Sequence, residues 1–450
     1  MTTYAARWVL PVSRGPIERG AVTVEGGRIT WVGERAALPP SAGVLDFGEA
    51  ILMPGLVNAH CHLELTAMRG LLEDIGFRHW ILRLTFSKRA VMDHSSMLDS
   101  ARLGIAEGVL AGITTYADTC DSGVAFDAML EAGVRGIMYQ EVFGPDPAHC
   151  EQSFADLQAK VATFRPRESG RVKIGVSPHA PYTVSDALYE RVAKWARDER
   201  LPIAVHIAEG EAEQALVTQG EGEFASGLRK RGIECAPRAS SPMELMLRTG
   251  VLDAHPLLIH CVRMDEADIA HVARSGAGIA HCPISNAKLG HGIAPLAAML
   301  RAGISVGLGS DSMASNNRMD ILEEARMAVL AQRARSGHPD SPTARQALEL
   351  ATLGGARALG LHESIGSLDQ GKAADICVLD LCETRSPSPD PVAAAVFALG
   401  GVRARFVCVD GVPLVDDGVQ LRRDPGLAAR VEATSGALRA WIASNDPVSA

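Results

Sequence analysis

Between residues 51 and 336 short apolar runs alternate with longer amphipathic segments, and this rhythm constrains the fold more than any other feature of the 450 residues. The strand-like runs are a first one ending at His60, then Gly112–Asp118, Arg135–Phe143, Val172–His179, Pro202–His206, Leu257–Cys261, Ala277–Cys282 and Ser305–Gly309. Between them, Ser95–Ala111, Ser185–Arg200, Asp265–Ser275 and Asn317–Ser336 carry helical spacing. Strands alternating with helices build βαβ units and a parallel sheet. Eight such units fit an α/β fold closed as a (β/α)8 TIM barrel. A doubly wound open sheet satisfies the same alternation and stays open as the alternative.

The two ends read differently. Residues Ala21–Gly33 form a predicted hairpin around Gly26-Gly27. Ala374–Asp380 and Phe406–Gly411 carry strand-and-turn signals near the other end. Pairing the termini gives one small β-domain with the barrel inserted in it. Ser386–Pro391 reads as a stiff proline loop, and residues 424–445 as a terminal helix.

Bulk properties exclude several function classes. The formal charge is −9 and no basic run stands out, which argues against a nucleic-acid partner. No segment has the roughly 18 uninterrupted apolar residues of a membrane span. The start, Met1–Trp8, lacks the long apolar stretch of a signal peptide. Nine cysteines without CxxC spacing suggest reduced thiols and a cytoplasmic protein.

Chemistry in a barrel gathers at the C-terminal ends of the strands. There the sequence places His60 and His62, His179, His206 with Glu209 three residues on, His260, His281-Cys282-Pro283 and Asp311. Residues i and i+2 of a strand share a face, so His60 and His62 point together and Cys61 points away into core. Three histidines and one carboxylate suit a catalytic zinc-type site that keeps a position for water. Such water has its pKa lowered toward about 7. Asp311 is then the candidate base, and His260 can hold the water from the other side. Glu209 can donate a proton to a substrate nitrogen. Two carboxylates in different environments are what acid–base work requires.

Other residues carry blander expectations. His281 has a structural reading, Ser285 and Asn286 fix the loop after the seventh strand, and Asp118 is a buried hydrogen-bonding carboxylate. His79, His94, His149, His338 and His362 are expected on the surface. Glu64 is expected either to line the pocket or to hydrogen-bond its own loop. Trp80 and Arg83 fall on a helix or lid that could close over a substrate ring, although an amphipathic helix packed on the barrel explains them equally well.

Taken together, Pro54–His62, His179-Ala180-Pro181-Tyr182, His206-Ile207-Ala208-Glu209, His260-Cys261, His281–Asn286 and Gly309-Ser310-Asp311-Ser312 resemble the amidohydrolase superfamily. The order and spacing are similar to its cytosine-deaminase-related branch, which includes chlorohydrolases and adenosine-type nucleoside deaminases. Gly366–Asp375 matches the signature of that family's split β-sandwich. The resemblance implies a sandwich domain from residues 1–53 and 366–423, a catalytic barrel from 54–365 and a C-terminal helix and tail from 424–450.

It also implies roles. His60, His62, His206 and Asp311 would bind one divalent metal, with zinc first and iron(II) or manganese(II) compatible. Glu209, His260 and Asp311 would be catalytic, and His179, Glu64, Trp80 and Arg83 would contact substrate. Binuclear relatives bridge two metals with a carboxylated lysine, but Lys173 sits at the start of its strand, which favours one metal. The HxE and PCxxC pattern of the other zinc deaminases is absent.

The loop His62–Gly70 is similar to that of aminodeoxyfutalosine deaminases of menaquinone biosynthesis. The implied reaction is attack of metal-activated hydroxide on C6 of an adenine nucleoside derivative with release of ammonia, 6-aminodeoxyfutalosine being the first choice. S-adenosylhomocysteine, methylthioadenosine and adenosine are alternatives, as are guanine, triazine or other N-heterocycles. A cyclic-amide hydrolase or a non-catalytic ligand-binding relative stands further off. The expected partner is a nucleoside-like small molecule, in a homodimer or larger homo-oligomer.

Overall fold

The computed structural model describes residues 1–38, 43–381, 385 and 387–445. The chain opens with β1 (Thr2–Val9), β2 (Ile17–Glu25), β3 (Arg28–Glu34), β4 (Val44–Asp46) and β5 (Ala50–Pro54). Eight parallel strands follow: β6 (Leu56–His62), β7 (Ile113–Cys120), β8 (Arg135–Val142), β9 (Val172–Pro178), β10 (Ala204–Ile207), β11 (Leu257–His260), β12 (Gly278–His281) and β13 (Ser305–Leu308). A two-residue strand, β14 (Asp311–Ser312), completes the middle of the chain. β15 (Ile376–Asp380), β16 (Phe406–Val409), β17 (Val412–Asp416) and β18 (Val419–Gln420) return to the first five.

The eight strands close into a (β/α)8 barrel through two seams. β6 to β9 and β10 to β13 each pair in order. One seam is a bridge between Val176 and Ile203. At the other, β14 pairs with β6, setting Asp311 opposite Cys61. That seam is tight because Gly307 has no side chain: a Cβ there would stand 2.6 Å from Gly355 Cα and 2.9 Å from Ala59 Cβ.

Strand alternation sorts the barrel's side chains. Ala204, Leu257, Ile259 and Ala280 form the inner cluster with Val57, Ile137 and Tyr139. Val205, Ile207, Leu258 and Ile279 belong to the larger core beneath the helices. The strand runs read from sequence each sit within a few residues of an observed strand. The eighth differs most, because Asp311 lies three residues beyond β13 on its own short strand.

The terminal strands build one nine-stranded sheet, in which β5 pairs with β1 on one side and β15 on the other. The sheet folds over on itself: Arg28 at the start of β3 bridges to Ala373. Tyr4, Phe47 and Phe406 stack in its core, the rings of Tyr4 and Phe406 5.1 Å apart. Gly26 and Gly27 make the hairpin turn, both with positive φ, where glycine pays no Cβ penalty. The domain boundaries given above are our proposal for dividing this continuous chain.

One local reading needs correction, and another is trimmed at its ends. Pro391 does not end a loop but starts the helix Pro391–Ala398, capped by Asp390, since proline fits the first helical turn. Ser386 of that segment lies outside the described residues. The terminal helix spans Leu427–Ser444, and the tail from residue 446 is likewise outside them. The eight described cysteines are all free thiols. Among the described residues no helix is long and apolar enough to cross a membrane.

Candidate active site

The site forms where the regular backbone of the barrel breaks. β6 shifts register against β7 between Asn58 and Cys61. A bulge of this kind re-aims side chains. Cys61 joins the outer core, and its thiol meets Ala117 O and Asp118 Oδ2. His60 and His62 meet the other strand ends instead. Ala208, His260, Cys261 and Asp311 all have positive φ, a conformation that costs non-glycine residues energy and concentrates at functional sites.

Four side chains converge. His60 Nε2 lies 3.4 Å and His62 Nε2 3.6 Å from Asp311 Oδ1. His206 Nε2 lies 3.3 Å from His62 Nε2. A tetrahedral ion with bonds of about 2.0–2.1 Å holds its donors about 3.3 Å apart, so this spacing fits a zinc-type ion. His60 is fully buried and neither ring nitrogen has a hydrogen-bond partner among the described residues. A buried polar group left this way is costly unless a ligand completes it.

The outer atoms of the set are pinned. His62 Nδ1 donates to Thr119 O at 2.9 Å and His206 Nδ1 to His179 O at 3.3 Å, which leaves both Nε2 lone pairs facing inward. Ser285 and Ser315 hydroxyls donate to Asp311 Oδ2 at 2.5 and 2.9 Å, leaving Oδ1 for the cluster. Burial and the neighbouring His60 push His62 down to about 4. Burial, and then the imidazole of His179, hold His206 well below the ordinary value. The rings are therefore neutral, the form that ligates. Asp311 is held well below the ordinary carboxylate range because His60 and the other imidazoles outweigh its burial.

Glu209 faces this cluster from the turn after β10. Its Oε1 lies 3.5 Å from His260 Nε2 and 3.3 Å from His291 Nε2. Burial alone would raise its pKa, but His260 and His291 bring it below the usual value. Glu213 holds the turn by accepting from Ala208 N at 2.7 Å and Glu209 N at 3.2 Å. His260 Nδ1 donates to Asn286 Oδ1 at 3.0 Å, so its Nε2 is aimed at Glu209.

These groups open onto a cavity of about 890 Å³. His62, His179, His206, Glu209, His260 and Asp311 lie on its floor, and Glu64 and Trp80 line its wall. Tyr182 lines it too, stacked on Phe224 at 4.1 Å. Glu64 is buried and ion-paired with Lys88, with Ser122 as a further donor.

Arg83 is a correction. It lies on the helix Phe77–Val91 but does not line the cavity, whereas Phe77, Trp80, Ile81, Leu84 and Lys88 do. At 3.6 residues per turn those five share one face, and position 83 is rotated well away from it. His94 is exposed as expected, yet it stands at the cavity's edge. Ser285 and Asn286 do more than fix a loop, since their side chains hold Asp311 and His260. His281 is buried with Nδ1 unpartnered. Lys173 is exposed near the start of β9. Sequence reasoning missed His291, Lys88 and Phe77. The helical spacing from Trp80 pointed to the last two, but nothing local marked His291.

The model of the amidohydrolase family matches residues 51–414. The chain belongs to the amidohydrolase family. Its enzyme class is that of hydrolases acting on carbon–nitrogen bonds in cyclic amidines. A relative from Moorella thermoacetica, named 5-methylthioadenosine/S-adenosylhomocysteine deaminase, is 32% identical over 415 residues, covering 91% of this chain and 93% of its own. Among solved structures, an adenosine deaminase from Xanthomonas campestris with bound zinc superposes with a TM-score of 0.86 at 28% identity, covering 98% of each chain. An aminofutalosine deaminase from Helicobacter pylori superposes with a TM-score of 0.80 at 20% identity, covering 92% of this chain and all of its own, a likeness of fold.

Proposed function

We propose that this amidohydrolase is a metal-dependent deaminase of an adenine nucleoside derivative. The observation that carries the reading is Glu209, a buried carboxylate set between two imidazoles and facing the His60, His62, His206 and Asp311 cluster across one cavity. Those four residues would hold one divalent ion, zinc first, with iron(II) or manganese(II) compatible. When bound, the ion supplies a Lewis acid that makes water acidic near neutral pH.

The remaining work falls to the chain. Asp311, with Oδ2 fixed by Ser285 and Ser315, presents Oδ1 to take a proton from the attacking water. His260 orients that water through Nε2. Glu209 carries a proton to the ring nitrogen beside the carbon under attack, so that charge does not build up on the ring. Asp311 passes the proton it took to the amino group, ammonia leaves from the tetrahedral carbon, and the hydroxyl proton left there returns to Glu209 as the carbonyl forms. His179, Trp80 and Glu64 would position the nucleoside, with Lys88 fixing Glu64.

Two substrates compete within this class. The loop from Leu63 to Gly70 motivates 6-aminodeoxyfutalosine and hence menaquinone biosynthesis. Of that loop only Glu64 and Leu65 line the cavity, which narrows its influence on the substrate. The Moorella relative's name favours thioether-substituted adenosines such as 5-methylthioadenosine and S-adenosylhomocysteine. Ammonia release measured on the purified protein with each of these and with adenosine decides between them. No release from any adenine nucleoside overturns the proposal. A cytoplasmic homodimer or larger homo-oligomer belongs to the same reading, and light scattering of the purified chain tests the assembly.

A further inference from the structure

Beside the four converging donors, the cavity wall holds two acceptors that face each other with no donor between them. Glu141, near the end of β8, is 6% exposed, and its Oε1 has no hydrogen-bond partner among the described residues. Alternation along β8 aims it inward with Ile137 and Tyr139, and it lines the cavity. His179 lines the same wall, and its Nε2 lies 4.0 Å from that oxygen.

The proton of His179 sits on its other nitrogen. Nδ1 is 2.7 Å from Thr183 Oγ1, and the same hydroxyl donates to Ala180 O at 3.1 Å. A hydroxyl has one proton, so both bonds form together when His179 Nδ1–H donates to Thr183. In the neutral ring Nε2 is then a bare lone pair. At 4.0 Å the imidazole and the carboxyl are too far apart to bond to each other. Nearby donors are engaged elsewhere: Lys88 is ion-paired with Glu64, and the Gln140 amide donates to Cys120 O and Asp121 O. Burial pushes the Glu141 carboxyl well above its ordinary range, yet with a proton on one oxygen the other still accepts.

A pair of acceptors without a donor calls for donors on the ligand. Adenosine, 5-methylthioadenosine, S-adenosylhomocysteine and 6-aminodeoxyfutalosine have few in common. Apart from the amino group that leaves as ammonia, the donors shared by all four are the two hydroxyls on neighbouring carbons of the ribose. With bonds of about 2.7–2.8 Å, two such hydroxyls can each reach one acceptor of this pair.

We propose that Glu141 and His179 take the two ribose hydroxyls, one each, and so make the site select ribonucleosides over deoxyribonucleosides. Glu209 serves the ring from the β10 side, and Glu141 holds the sugar from the β8 side. Glu141 is thus a specificity-determining residue for the reaction. This rests on the adenine-nucleoside reading above.

The test is ammonia release by the zinc-loaded full chain from each of the four nucleosides beside its 2′-deoxy and 3′-deoxy analogues. For every parent that reacts, kcat/KM is expected to fall about 10–100-fold in each analogue. Glu141→Ala is expected to lose a similar factor on the parent, chiefly through KM. It should lose much less on the analogue lacking the hydroxyl that Glu141 holds, so that this preference collapses. Glu141→Gln keeps an acceptor oxygen and is expected to restore part of the preference. Equal rates for parent and both analogues in the wild type overturn the inference and leave the deaminase reading standing. Losses in both variants that are the same for parent and analogues overturn it too, because Glu141 is then structural. No release from any parent overturns the deaminase reading itself, and this inference with it.

Discussion

His291 Nε2 lies 3.3 Å from Glu209 Oε1, on the carboxylate that also faces His260. The contact lowers the pKa of Glu209 against the upward push of burial. His291→Phe should therefore raise that pKa. The limb of the kcat/KM pH profile governed by Glu209 should move to higher pH, which a pH series on the purified variant reads directly. An unmoved limb would separate His291 from proton transfer.

Glu209→Gln removes the proton donor while leaving the four converging donors in place. Bound metal should be retained and turnover should fall by about 10²–10⁴-fold. Metal analysis alongside initial rates checks both halves. Normal turnover in a metal-loaded variant contradicts the role given to Glu209.

Chelation of the wild type should abolish activity, and zinc, iron(II) or manganese(II) should restore it. Ser285→Ala frees Asp311 Oδ2 from one of its two hydroxyl donors. Loss of such an outer partner typically costs about 10–100-fold in metal affinity or activity. Competition with a chelator of known strength would register the loss. Asp311→Asn should lose turnover even where some metal stays bound.

The Lys88–Glu64 pair is mostly buried, with side chains 20% and 3% exposed. Lys88→Met leaves Glu64 buried and unpaired, which should cost about 3–5 kcal/mol. Urea unfolding at neutral pH measures it. Burial raises the pKa of Glu64, but Lys88 and Ser122 bring it below its ordinary 4.5. Its stabilisation is thus fully present above about pH 4.5 and is lost as pH falls through the lowered folded value. The gap between wild type and variant should narrow across that acid window.

The barrel was legible because its signal is periodic: each apolar run is short and each helix repeats a face. The four converging donors were legible because β6, β10 and the end of the barrel announce them with histidines or an aspartate at strand ends. Arg83 was misplaced because knowing that a residue is helical does not say which face it takes. His291 was invisible for a different reason. It reaches Glu209 from the loop after the helix Pro283–Lys288, where no repeating pattern relates sequence to position.

The strand pairing also sets an order of events during synthesis. β5 needs β15 as a neighbour, and Cys61 needs Asp311 across the seam. A chain emerging from the ribosome N-terminus first holds its opening strands without these partners until some 250 to 320 further residues have appeared. His60 and His62 are then exposed to any stray metal before Asp311 exists to complete the set. Free zinc present during cell-free translation should lower the yield of native chain, whereas zinc added after release should not.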